Sequence, residues 1–300
     1  MIRRGLLAVV LSLSICSGIS YPQAADVAPE IQSIQKRIHE SGADVAVAFR
    51  TLDGKSQWSF NENEVFHAAS TMKIPVMIEL FHQAREGKLK LDDTLLIKNE
   101  FHSLVDGSIF TLDPKDDSET HLYKAEGQTR TLQQLCEAMI TVSSNFATNL
   151  LVAKLGVENI RTTVHSLDAD GMNMLRGVED NKAYQKGLNN TTTARGLEVL
   201  LEAIANGQAV DPGASRQMRE ILERQTFNEG IPAGLPAGTL VAHKTGDLTK
   251  IHHDAGIVYA QRPFVLVVLV RGMPDFKQSA ALIAAIARDI HQLSRRDILQ

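Results

Sequence analysis

Phe66 to Gly87 runs FHAASTMKIPVMIELFHQAREG, and within it Ser70-Thr71-Met72-Lys73 opens an apolar segment that ends near Gly87. The apolar spacing predicts a helix from Thr71 to Glu86. A separation of three residues puts Ser70 and Lys73 on one helical face, within reach of each other. Unpaired N–H groups and the dipole at a helix start favour a negative charge developing there. A buried lysine beside a serine can hold or relay its proton. Taken alone, the same four residues also describe a helix cap followed by a solvated lysine.

Two further stretches change that balance. Ser143-Ser144-Asn145 falls between two helical segments, and Lys244-Thr245-Gly246 falls at the end of a strand expected over Thr239 to Lys244. The order is S-x-x-K, then a Ser-x-Asn junction, then K-T-G on a strand. Leu135 and Cys136 lie on the helix that leads into the second stretch, and Leu235-Pro236-Ala237-Gly238 leads toward the third. In these residues the chain resembles the class A β-lactamases and penicillin-binding serine hydrolases over most of its length.

The resemblance implies a role for each residue. Ser70 attacks a lactam or amide carbonyl, and Lys73 accepts or relays its proton. Ser143 passes a proton to the leaving nitrogen, and Asn145 orients Lys73 and the substrate amide. Lys244, Thr245 and Gly246 bind the substrate carboxylate side, and the amides of Ser70 and Asp247 form the oxyanion hole. The strand edge after Lys244 is open to pairing with a peptide-like substrate. The deacylation base falls to Glu179, in Arg176-Gly177-Val178-Glu179, although Asp180-Asn181-Lys182-Ala183 follows it instead of Pro-Glu-Leu-Asn. A loop carboxylate paired with Arg176 is the plainer reading of Glu179.

The chain departs from the resemblance elsewhere. Ser144 stands where an aspartate braces the motif, and Met77 where many members carry a half-cystine. Ala255 lies near the place of a carboxylate-binding arginine, after His252, His253 and Asp254, which read as a turn. Phe101 to Gln128 is aperiodic, longer than its counterpart, and reads as a surface excursion. Three functions stay open: a β-lactam hydrolase, a D-alanyl-D-alanine peptidase of the cell wall, and a sensor that stays acylated.

Around these motifs the expected fold is α/β (α+β), of β-lactamase/transpeptidase type. An antiparallel sheet is built from both termini around an inserted all-helical domain. Val45, Val47 and Phe49 alternate as a half-buried strand does, Asp53-Gly54 is a turn, and Gln57 to Phe60 is the hairpin partner. Helices are expected at 29–40, 131–140, 145–155, 193–205, 215–224 and 278–293, with strands at 256–260 and 264–270. The expected division is 1–25 as leader, 26–66 with 235–300 as the sheet domain, and 67–234 as the helical domain.

The leader rests on Arg3 and Arg4 followed by the apolar run Leu6 to Cys16, too short to span a bilayer, with small residues at Gly18, Ser20, Ala24 and Ala25. This predicts a secreted or periplasmic protein with no transmembrane helix in the mature chain. Arg3-Arg4 also reads as a twin-arginine signal, and Cys16 as a lipoprotein cysteine, although Ile15 is large for a lipobox. Of the two cysteines only Cys136 remains after the leader, so no internal disulfide is expected. A net charge of −4 gives no basic footprint for nucleic acid. Ten histidines form no H-E-x-x-H, so neither a metal nor another cofactor is expected. His67 reads as a packing or supporting residue, and the absence of G-x-S-x-G argues against a Ser-His-Asp hydrolase.

Overall fold

The computed structural model describes residues 28–299, so the leader and Cys16 lie outside the described residues. Six strands form the main sheet: β1 (Asp44–Thr51), β2 (Ser56–Phe60), β3 (Leu240–Leu248), β4 (Ile251–Tyr259), β5 (Phe264–Arg271) and β6 (Ile298–Leu299). Their order is β6-β2-β1-β5-β4-β3. All neighbours are antiparallel except the short edge strand β6, which runs parallel to β2. The chain therefore leaves the sheet after β2 and returns to it at β3.

Both faces of the sheet are covered. Helix α1 (Pro29–Ser41) starts on a proline, whose missing N–H costs nothing in a first turn, and buries Ile31, Ile34 and Ile38. These pack with α9 (Phe276–Leu293) and with Val45, Val47 and Phe49 of β1. Ala46 and Ala48 point the other way into the helical core. The expected alternation is thus present, but β1 is buried on both faces, with small side chains on the second. Each fully buried Ile or Phe contributes roughly 1.5–3 kcal/mol.

The second face packs on a core shared by helices α2 (Lys73–Arg85), α3 (Leu132–Thr141), α4 (Asn145–Leu155), α5 (Val157–Ser166), α7 (Ala194–Ala205) and α8 (Pro212–Leu222), while the short α6 (Asn181–Gln185) lies outside that core, with Asn181 and Tyr184 at the wall of a cleft. Thr131 and Gln134 close a capping box at α3, and Thr193 caps α7. Cys136 is a buried free thiol in this core, and burial holds its pKa far above the ordinary range.

Four expectations need correction. The segment opening with Ser70 is not one helix. A 3-10 turn at Ala69–Met72 precedes α2, and Ala69 takes a positive φ of 46°. Helix α4 keeps its expected bounds, but α5, absent from the expected helices, follows it at once, because Gly156 (φ 84°) closes one helix and opens the next. Strand β4 runs through His252, His253 and Asp254, which are buried strand residues, not a turn. The 101–128 excursion is not all surface: Phe101, Leu112, Asp117, Leu122 and Ala125 are buried.

Candidate active site

The Ser70 turn is held where the sheet meets the helices. The Ala69 amide donates to His67 Nδ1 at 3.0 Å, and the Thr71 hydroxyl donates to Ala68 O at 2.6 Å. Strand β3 passes behind this turn at Gly246. A Cβ there would lie 3.1 Å from Thr71 Cγ2, 3.2 Å from Ala69 Cβ and 3.2 Å from the Ser70 amide nitrogen. Only glycine lets strand and turn approach this closely without displacement. Lys244 and Thr245 precede that glycine within β3, which runs on to Leu248 and is longer than expected.

Lys73 is fully buried and spends all three ammonium protons on the α3–α4 junction. It donates to Ser143 O at 2.7 Å, Ser143 Oγ at 3.1 Å and Asn145 Oδ1 at 2.9 Å. No hydrogen bond joins it to Ser70 among the described residues; the shared face leads it to Ser143 instead. Lys244 Nζ donates to the same Ser143 Oγ at 2.9 Å and to Thr245 O at 2.8 Å. Two lysines therefore occupy both lone pairs of the Ser143 hydroxyl, which leaves its proton free to be given away.

Burial acts against both charges. It pulls the Lys73 pKa down to about 7, against the opposing pull of Asp117 and then Glu179. Burial, and then the nearby Lys73, push Lys244 well below the ordinary lysine range. A lysine at about 7 is half neutral near neutral pH, as a general base requires.

Glu179 sits across Asn145 from Lys73. Asn145 Nδ2 donates to Glu179 Oε1 at 2.7 Å while Asn145 Oδ1 accepts from Lys73. Arg176 does not pair with Glu179; its guanidinium binds Leu188 O, Gly177 O and Asn189 Oδ1. The loop is pinned because the Val178 amide donates to Asn149 Oδ1 at 2.7 Å and Asn149 Nδ2 donates to Val178 O at 2.9 Å. Glu179 itself takes a positive φ of 63°, a strained backbone at a non-glycine residue. Burial, with Asp116 and Asp117 nearby, holds its pKa above the ordinary carboxylate value.

Ser70 opens onto two joined hollows. One, of about 410 Å³, is lined by His67, Asn145, Glu179, Tyr184 and Asp247. The other, of about 320 Å³, is lined by Ser143, Thr245, Glu229, His252 and Phe276. Asp247 borders both, and burial raises its pKa. Of the nine residues singled out by sequence, Ser70, Ser143, Asn145, Glu179, Thr245 and Asp247 line the cleft, Lys73 and Lys244 reach it through the Ser143 hydroxyl, and Gly246 lies behind the Ser70 turn.

Sequence reasoning missed three contributors. His252 lines the second hollow and stacks on Phe276 with ring centroids 4.3 Å apart. The Ser279 hydroxyl donates to Phe276 O, so His252 Nδ1 must donate to Ser279 Oγ, at 2.9 Å. Asp116, which borders both hollows, and Asp117 come from the excursion, where no periodicity marks them. Asp117 receives the Ser144 hydroxyl, the side chain that stands in for the aspartate implied by the resemblance.

The chain is similar to known proteins in sequence and in fold. The extended-spectrum β-lactamase PER-1 of Pseudomonas aeruginosa is 25% identical over 285 residues, covering 89% of this chain and 88% of the relative. The crystal structure of a β-lactamase from Sphaerobacter thermophilus superposes with a TM-score of 0.77 at 23% identity, covering 89% of this chain and 97% of that one. PBP-A superposes with a TM-score of 0.76 at 25% identity, covering 89% and 96%, and a variant of it is solved as an acyl-enzyme complex with penicillin G. The fold is that of the β-lactamases and transpeptidases, an antiparallel sheet with helical segments. The profile of the β-lactamase enzyme family matches residues 29–293, nearly everything the structure describes, and the chain belongs to that family.

Proposed function

We propose that the protein is a serine β-lactamase that opens the lactam ring through an acyl-enzyme at Ser70 and then hydrolyses it. The observation that carries this reading is the Ser143 hydroxyl, held by Lys73 and Lys244 at the wall of the cleft onto which Ser70 opens. Neutral Lys73 takes the Ser70 proton as Oγ bonds to the carbonyl carbon. The amides of Ser70 and Asp247 receive the oxyanion charge. As the C–N bond breaks, the Ser143 proton passes to the ring nitrogen, and a lysine ammonium restores it. Lys244 and Thr245 hold the substrate carboxylate, with Gly246 keeping the strand against the turn. Glu179, ionised, then takes a proton from the water that attacks the ester, and as the bond from the acyl carbon to Ser70 Oγ breaks that proton is returned to Oγ, which restores both residues.

A second reading has its own support. A variant of PBP-A is solved as an acyl-enzyme complex with penicillin G, and a protein of this fold that stops at that stage would be a sensor that stays acylated or a peptidase acting on D-alanyl-D-alanine ends of cell-wall peptides. Among the described residues no helix is long and apolar enough to cross a membrane. With the leader read from residues 1–25, we place the protein outside the cytoplasm, in the periplasm or secreted. Steady-state mixing with a chromogenic cephalosporin is the test. Sustained turnover, lost in Ser70→Ala together with the covalent adduct seen by mass spectrometry, supports the β-lactamase. A single stoichiometric burst selects the peptidase or sensor, and an adduct that persists in Ser70→Ala overturns the nucleophile.

A further inference from the structure

The 101–128 excursion does more than border the cleft: its residues 117 and 118 straddle Ser143. On the C-terminal side, Asp117 Oδ2 accepts the Phe146 amide at 2.9 Å and the Ser144 hydroxyl at 3.3 Å. On the N-terminal side, the Ser118 hydroxyl donates to Val142 O. Between them Ser143 takes a positive φ of 57°, a strained conformation for a non-glycine residue that persists only where the surroundings impose it. That conformation lets Ser143 present both its carbonyl and its hydroxyl to Lys73.

Asp117 is itself buried and fully engaged. Tyr123 OH donates to its Oδ2 at 3.0 Å and the Glu119 amide to its Oδ1 at 3.1 Å. Burial and the carboxylate push the Tyr123 pKa far up, so the phenol stays a donor. Its ring packs on Phe146 at 4.7 Å between centroids, which fixes the excursion to α4. The carboxylate also sits where its field reaches Lys73.

We propose that Asp117 is a positioning residue of the active site: it fixes the strained Ser143 turn that grips Lys73 and supplies the principal negative charge facing that lysine. The excursion is then part of the catalytic apparatus. The charges around Lys73 are Asp117 from the excursion, Glu179 across Asn145 and the like-charged Lys244 on β3. Asp117 is the larger of the two attractions that oppose desolvation of the ammonium. Without it Lys73 loses its proton at lower pH and its grip on Ser143 loosens.

The catalytic consequence rests on the acyl-enzyme reading above, so the test has an arm that does not. In protein carrying isotope-labelled lysine, NMR follows the titration of Lys73, assigned by its loss in Lys73→Arg. In Asp117→Asn the Lys73 midpoint falls by about one pH unit, the scale of losing one nearby opposite charge. Tyr123→Phe keeps the carboxylate charged but removes a donor that shields it, and there the midpoint rises. The second variant decides the matter even if the first does not fold. In Asp117→Asn the acid limb of acylation moves down with the midpoint, and the plateau rate falls about tenfold as the turn relaxes. A Lys73 midpoint unchanged in either folded variant overturns the proposal, as a pure loop anchor would lower only the melting temperature. If the parent forms no adduct with any β-lactam, the proposed function fails while the NMR midpoints still decide the role of Asp117.

Discussion

At the scale of single residues, the site depends on burial setting proton affinities and hydrogen bonds setting direction. Lys73, brought to about 7 chiefly by burial, is competent as a base once it is neutral. The rate of Ser70 acylation should therefore rise with pH up to about 7 and level above it, measured by stopped flow with a chromogenic cephalosporin. A limb centred near the ordinary lysine range would show that Lys73 is not the base. Glu179 carries the complementary prediction. Its raised pKa places the acid limb of deacylation above the ordinary carboxylate range, because the ionised form is the active one. Glu179→Gln keeps the bond to Asn145 but removes the base, so acylation should persist while deacylation slows about a hundredfold. Turnover at the parent rate would place the base elsewhere.

At the scale of elements, the site is a junction of pieces that each have another structural task. The 3-10 turn carries Ser70, the α3–α4 link carries Ser143, and β3 carries Lys244 and Thr245. Their separation is fixed at Gly246, where a methyl group would press on three atoms of the nucleophile turn at 3.1–3.2 Å. Gly246→Ala should push β3 from the turn by a few tenths of an ångström and slow acylation about tenfold, with a small loss of melting temperature. Full activity in that variant would mean that the contact is slack. The elements were unequally legible in sequence. Helices α3 and α7 carry caps and periodic apolar faces, while α4 is buried nearly all round and is marked by its Ser144 cap and by Gly156 at its end. Strand β4 hid behind polar residues: Asp254 is paired internally with His243 at 2.8 Å and receives the Ile231 amide. Buried polar side chains of this kind satisfy one another, so they leave no hydrophobic pattern to read.

At the scale of the whole molecule, two lysines with low pKa values are buried between the sheet and the helices, which makes stability depend on pH in an unusual direction. Between about 7, where native Lys73 titrates, and its ordinary value of 10.5, the unfolded chain binds more protons than the native one. Stability therefore rises with pH across that window, and the cost of burying the ammonium is fully present below it. Lys73→Met removes the titrating group and leaves its acceptors, so the parent should gain melting temperature on the variant as pH goes from 7 to 9. Parallel curves for the two proteins would show that Lys73 titrates as an ordinary lysine. The same tight packing explains how the Ser143 strain is sustained, since the excursion, α3 and α4 share one core with the sheet.

The sequence alone determined which residues could do the chemistry, because that depends on residue type and order. A serine and a lysine three apart, a second serine near an asparagine and a lysine on a strand were readable from Ser70 through Gly246. It also determined the helical and strand periods, which are local properties of backbone geometry. The tertiary structure decided which partners those residues have. Lys73 meets Ser143 across 70 positions of chain, and Asp117 meets Ser144 across 27. A carboxylate in an aperiodic loop carries no mark of where folding takes it. Its charge acquires a function only when burial removes the water that would screen it.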